Sequence, residues 1–175
     1  MNGYVYVQDG DGIVHECKVR GRLKKDKYSL LVGDYVEFSH ENLIESILER
    51  HNYMVRPAVA NIDQVVLVVA AHDPDINILL LDKMLVMIEH ADIPIVLCIN
   101  KYDLADDKTH EILELYQSVG YTVITTSEYM NTDIDKLRHV LSGKVTAFAG
   151  PSGVGKSSLL NAVDPKFSFQ TGGIS

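Results

Sequence analysis

Apolar positions follow two different rhythms along the chain, and the change falls near Pro57. Before it, Tyr4 and Tyr6 alternate with Val5 and Val7, the two-residue period of a strand. The run Asp9-Gly10-Asp11-Gly12 predicts a tight turn. Residues 13–19, 30–38 and 43–48 predict further strands, with a bend at Gly33-Asp34 inside the second. Several short strands within about 50 residues predict a small β-barrel, and an OB-fold matches that size.

After Pro57 the rhythm lengthens. Residues 64–71 form a continuous apolar run rich in β-branched side chains, which predicts a buried parallel strand. Leu81, Met84, Leu85 and Ile88 then recur at the spacing of one helix face. Residues 93–99 predict a second buried strand. Ile112, Leu115, Tyr116 and Val119 predict a second helix face. Residues 121–125 predict a third strand, 133–141 a short helix, and 145–149 a fourth strand. A last helix starts near Lys156. Strands alternating with helices predict an α/β unit with a parallel sheet and crossover helices. The expected organisation is a barrel over 1–55, a linker over 56–64 and an α/β domain over 65–175.

Composition narrows the class. The 175 residues are 46% hydrophobic and 23% charged, values of an ordinary globular chain rather than a disordered one. The longest apolar run, residues 65–71, is far short of the ~20 residues that cross a bilayer, and no basic-then-apolar leader follows Met1. Cys17 and Cys98 stand far apart without a CxxC. They form neither a disulfide framework nor a zinc site, and they fit a reducing cytosol. The seven histidines show no ligand spacing. Lys+Arg number 16 against 24 Asp+Glu, for a net charge of −8, which argues against a general nucleic-acid coat. A local exception is KVRGRLKKDK at residues 18–27, with six basic residues and one acid.

Chemistry enters with Gly150-Pro151-Ser152-Gly153-Val154-Gly155-Lys156-Ser157, which fits G-x-x-x-x-G-K-[ST] at every position. The glycines let the backbone curl so that several N–H groups face one anion, and the helix N-terminus adds partial positive charge there. Lys156 can reach the β- and γ-phosphates, Ser157 can ligate Mg²⁺, and Ser158 continues the phosphate-facing turn. An apolar strand before the loop and a helix-forming run after it supply the expected context.

A phosphate loop alone does not choose the base. Asn100-Lys101-Tyr102-Asp103 stands at the carboxyl end of the second buried strand, the edge where open α/β sheets bind ligands. A carboxylate at Asp103 can accept from both N1–H and the exocyclic amine of guanine, a donor pair that adenine lacks. Asn100 would brace neighbouring loops, and the Lys101 stem would lie along the base. Taken alone, N-K-x-D reads first as a surface loop, and together with the phosphate loop in one sheet it becomes a strong signal; its accidental occurrence in an ATP-binding protein is the competing reading. After the third strand comes Thr125-Thr126-Ser127-Glu128. Ser127 fits a loop contacting the guanine oxygen, though a plain strand-end loop reads as well.

In ordinary GTPases the phosphate loop comes first and N-K-x-D much later, whereas here N-K-x-D and the Ser-containing loop precede the phosphate loop, a circularly permuted order. With LLVGDYVEF, RPAVANIDQ at 56–64, NKYD, GPSGVGKSSLLN and a final TGGIS, the whole chain resembles the circularly permuted ribosome small-subunit-dependent GTPases. The resemblance implies an N-terminal OB-fold, a permuted GTPase domain, binding to the small ribosomal subunit and its rRNA, and GTP hydrolysis with Mg²⁺ in late subunit maturation. It also implies a switch threonine, a D-x-P-G motif and a Cys/His zinc site in residues following Ser175. Zinc is therefore not expected in residues 1–175, nor is the residue that orients the attacking water identifiable there. These residues are expected to bind GTP and GDP, and to need the switch elements for turnover. A non-hydrolysing GTP-dependent RNA-binding switch is the alternative reading.

OB-folds bind nucleic acid through one face and its flanking loops. By itself the basic run reads first as a solvated loop. The resemblance turns Arg20, Arg22, Lys24 and Lys25 into candidate rRNA contacts, with Tyr4, Tyr6, Tyr28, Tyr35, Phe38 and Tyr53 as possible stacking partners. A cytoplasmic monomer with no membrane association is the expectation.

Overall fold

In a computed structural model, residues 4–19, 30–127, 133–164 and 166 are described. Arg20, Arg22, Lys24, Lys25, Tyr28, Glu128 and residues 167–175 lie outside them. The chain divides into two compact units, Met1–Asn61 and Ile62–Ser175. Residues 56–64, expected as a linker, contain a short strand of the first unit and the first residue of a strand in the second.

The first unit is all-β. Strands β1 (Tyr4–Gln8) and β2 (Val14–Val19) form an antiparallel hairpin, and β3 (Val36–Phe38) and β4 (Leu43–Ile47) form another. Parallel pairing of β2 with β4 joins them in the order β1-β2-β4-β3, in an OB-like unit. The acidic turn is stapled by Asp9, whose Oδ1 accepts from the N–H groups of Asp11 (3.0 Å) and Ile13 (2.8 Å). The contact of its Oδ2 with His15 Nε2 at 2.7 Å, with these N–H donors, pulls the Asp9 carboxyl below its usual range.

The strand expected over 30–38 is broken where the bend was predicted. Gly33 takes φ +90°, and a Cβ there would run into the Ala60 carbonyl oxygen. Asp34 turns its buried carboxylate onto Arg50, with Nε–Oδ1 at 2.6 Å and Nη2–Oδ2 at 2.8 Å. Its Oδ2 also accepts from the Leu31 N–H. Such a fork-on-fork pair fixes geometry as well as charge. Asn61 closes the knot, donating to the Gly33 carbonyl and accepting from the His51 N–H. The short strands β5 (Tyr53–Met54) and β6 (Val59–Ala60) lie beside it as an antiparallel ribbon.

In the second unit, β7 (Gln64–Ala70), β8 (Ile95–Asn100), β9 (Thr122–Thr125) and β10 (Thr146–Ala149) make a parallel sheet in the order β10-β7-β8-β9. The helices are α1 (Ile78–His90), α2 (Asp107–Ser118), α3 (Ile134–Leu141) and α4 (Lys156–Val163). Every residue of β7 is buried, as its unbroken apolar run requires of a central strand. Val66, Val68, Val96, Cys98 and Ile124 pack with Ile134 and Leu137 of α3 and Leu159 of α4. Alternation turns the intervening residues to the other face, where Leu81, Leu85 and Ile88 of α1 are buried.

One helix face is narrower than expected. On α2, Ile112 and Tyr116 are buried, but Leu115 is 49% exposed and Val119, just past the helix, 63% exposed. Thr109 takes the third buried position because its hydroxyl and N–H both bond the Asp106 carboxylate that caps the helix. Among the described residues no helix is long and apolar enough to cross a membrane.

Candidate guanine nucleotide site

The carboxyl ends of β7, β8 and β10 lie side by side, with Leu67 opposite Ala149 and Ala70 opposite Asn100. From this edge leave the loop after β10, the N-K-Y-D segment after β8, and the residues after β7. The alternation of apolar strands with capped helices therefore delivers the phosphate and base motifs to one place.

The phosphate loop runs from Gly150 to the start of α4. Three of its glycines hold positive φ: Gly150 at +138°, Gly153 at +81° and Gly155 at +91°. At Gly150 a Cβ would run into the Val68 carbonyl oxygen, and at Gly155 into the Asn100 side-chain amide. Gly155 caps α4 with no side-chain bond, so the first N–H groups of the helix are left to an incoming anion. Pro151 and Ser152 form the outer turn, Val154 is buried beneath it, and Ser157 and Ser158 are half-buried in the first turn of α4. Lys156 folds back so that Nζ donates to the carbonyls of Gly150 (3.0 Å) and Pro151 (2.6 Å). Partial burial pulls its ammonium below the ordinary lysine range. A phosphate in the loop would supply an opposite charge that no ion pair among the described residues gives this cation.

Asn100 connects the motifs. Its side chain is buried, with Nδ2 donating to the Val154 carbonyl at 2.9 Å and Oδ1 accepting from Thr126 Oγ1 at 3.0 Å. Since Thr126 spends its proton on Asn100, the Cys98 thiol, 3.4 Å away, is left to donate to the Thr126 oxygen. Burial pushes that thiol up to about 11, so Cys98 is a structural donor rather than a nucleophile. Thr126 was not singled out by the sequence, although a polar residue directly after an apolar strand was the available signal. It also accepts the Tyr102 N–H on its carbonyl and donates its own N–H to Ile99.

Lys101 takes left-handed φ +53° and opens the 3-10 turn Tyr102–Leu104. Its Nζ donates to the Asp73 carbonyl, on the loop after β7. The half-buried Tyr102 ring meets His110 edge-on. Asp103 is exposed, with Oδ1 accepting from Ser127 Oγ at 2.5 Å, so Ser127 orients the carboxylate from the loop after β9. The structure thus brings together Asn100, Lys101, Asp103, Ser127 and the whole phosphate loop. Among the described residues no group of three His, Cys, Asp or Glu is placed to hold a metal. The Mg²⁺ donor suggested by the sequence is instead the Ser157 hydroxyl, and hard oxygen donors completed by phosphates and water suit Mg²⁺.

A parallel α/β sheet carrying a glycine loop at a helix N-terminus, with N-K-x-D clasped to it, defines a P-loop guanine-nucleotide-binding fold in circularly permuted order. The model of the RsgA GTPase domain matches residues 47–175 and that of the RsgA N-terminal domain residues 1–48. The chain belongs to the RsgA GTPase family. A small ribosomal subunit biogenesis GTPase RsgA of Alkaliphilus metalliredigens is 43% identical over 180 residues, covering 99% of this chain and 61% of the relative. The protein of the same name from Bacillus anthracis is 43% identical over 183 residues, covering 100% and 62%. YjeQ from Thermotoga maritima superposes with a TM-score of 0.81 at 38% identity, over 97% of this chain and 64% of that one. YloQ, described as a circularly permuted GTPase, gives 0.72 at 39% identity, over 95% and 62%. The chain spans about three fifths of the length of these curated relatives.

Proposed function

We propose that this protein binds and hydrolyses GTP in the late maturation of the small ribosomal subunit, in the cytoplasm, as a monomer that contacts rRNA. The observation that carries the nucleotide half is the Asn100 clasp, which holds the N-K-Y-D segment against the phosphate loop on one sheet edge. Asp103 would read the guanine edge, Lys101 and Tyr102 would flank the base, and Ser127 would orient Asp103 and face the guanine oxygen. Residues 150–158 would cradle the phosphates. Mg²⁺ held by Ser157 would neutralise phosphate charge when bound. In-line attack by water on the γ-phosphate is then catalysed mainly by positioning and electrostatics. The names of the relatives support the ribosomal half.

Phosphate release from GTP, measured with and without small subunits and with ATP in parallel, tests the reading in the full-length protein. Stimulation by subunits with GTP alone is expected. GDP binding without any release would leave a non-hydrolysing switch, and ADP competing as well as GDP would remove guanine specificity.

At the phosphate loop, Lys156→Ala should weaken GTP binding about 10- to 100-fold, the scale of a lost hydrogen bond to a charged group. Ser157→Ala should lose affinity mainly when Mg²⁺ is present. Titrations in Mg²⁺ and in chelator separate the two, and a Ser157→Ala defect equal in both rejects the Mg²⁺ role.

For the basic run, neutralising Arg20, Arg22, Lys24 and Lys25 together should weaken small-subunit binding and leave GDP affinity unchanged. The slope of log K against log[salt] should become shallower by up to about 0.7–0.9 per lost phosphate contact. Wild-type binding by the quadruple variant at low and moderate salt would reduce the run to a solvated loop.

A further inference from the structure

We propose that His72 is a positioning residue of the guanine site, tying the loop after β7 to the start of α2 so that Lys101 is held over the base. The inference rests on the nucleotide reading above. His72 leaves the end of β7 at the sheet edge, where the Ala71 N–H still bonds the Asn100 carbonyl at 2.8 Å. Its Nδ1 meets Asp75 Oδ1 at 2.6 Å and its Nε2 faces Asp106 Oδ2 at 3.5 Å. Between them stands Asp73, in left-handed φ +49°, whose carbonyl takes the Lys101 ammonium. The loop is therefore joined to residues 101–106 at two points: Lys101 onto the Asp73 carbonyl, and His72 onto Asp106.

A neutral imidazole can donate to Asp75 but carries no charge to hold Asp106, whereas the imidazolium donates to Asp75 and attracts the Asp106 carboxylate across 3.5 Å. The clamp is complete only when His72 is charged. Asp75 on its own loop and Asp106 at the N-cap of α2 are the charged groups that act on it, and both raise its pKa above the ordinary histidine value, Asp75 most. On α2 itself the first titratable groups are Asp107, Lys108 and His110, whose Nδ1 meets the Asp106 carbonyl oxygen, and Lys101 is the cation on the preceding turn. A raised pKa means that the contact is fully present below about pH 6.5 and is lost as pH rises through the higher folded value. His72 and its partners are partly exposed, so the coupling is that of a screened pair, about 2- to 5-fold in affinity.

The test is labelled-GDP titration of the full chain and of His72→Asn between pH 5.5 and 8.5 at low salt. The ratio of the two affinities cancels titration of the nucleotide's own phosphates. It should be about 2- to 5-fold in favour of the unmodified chain at low pH and approach one at high pH, and added salt should shrink it. Asp106→Asn, which keeps a helix-capping side chain but removes the charge, should move the midpoint toward lower pH. By reciprocity, GDP should raise the His72 pKa followed by NMR, by up to about 0.7 unit for a 5-fold coupling. A ratio that is flat with pH, alongside intact GDP binding, overturns the role of His72 alone. No GDP binding by the unmodified chain at any pH overturns the nucleotide reading and this role together.

Discussion

Asp103→Asn should invert the base preference of the site, weakening GDP about 10²- to 10⁴-fold while improving xanthosine diphosphate relative to it. That range follows from two hydrogen bonds to a charged acceptor at about 1.5–3 kcal/mol each. The geometry sets the direction of the change. Ser127 Oγ donates to Asp103 Oδ1, and it can still donate to the amide oxygen of an asparagine. The amide NH₂ is then turned toward the base. Guanine presents two donors there, so donor would face donor. Xanthine presents a carbonyl at its 2-position and accepts. Competition of both diphosphates against one labelled probe measures the switch. Unchanged GDP affinity would remove Asp103 from the base site.

Gly150→Ala should damage the fold and the site together. A methyl group at this position meets the Val68 carbonyl, a backbone atom of the central strand that cannot step aside. At φ +138° the backbone is also one that L side chains rarely adopt. Strain of about 1–3 kcal/mol and overpacking of similar size add up to a fall of roughly 10–20 °C in the midpoint of the second unit. GDP affinity should fall with it, because the loop leaves the sheet edge. Thermal melting followed with and without GDP checks both. A variant melting within a degree or two of wild type would show that this approach of loop to strand is not required.

The elements of the second unit were legible because each has a single period: a buried strand without polar interruptions, or a helix with apolar residues at one spacing. Leu115 and Val119 misled on this count. They continue the α2 stripe in sequence, yet Thr109 fills the buried position through its bonds to the Asp106 cap, a local polar interaction that hydrophobicity does not register. The motifs were legible as strings, but their joints were not. Asn100 meets partners 26 and 54 residues away in the chain, and no spacing announces that Thr126 and the Val154 carbonyl will share it. The same holds for Gly33-Asp34. A bend could be read from the residue types, whereas the Arg50 fork and the Asn61 amide that lock it depend on tertiary placement.

The central position of β7 carries a consequence for how the chain is made. β8 and β9, which extend the sheet on one side, are both complete by Thr125. The other side must wait for β10 at Thr146–Ala149, whose first residue pairs with Gln64, 82 positions earlier. During synthesis from the N-terminus, one half of the sheet can assemble while the far edge of its most apolar strand remains open. An open apolar edge is a template for pairing with other chains. The permuted order of motifs therefore makes the base-reading half available first, and insertion of β10 both covers that edge and brings in the phosphate loop.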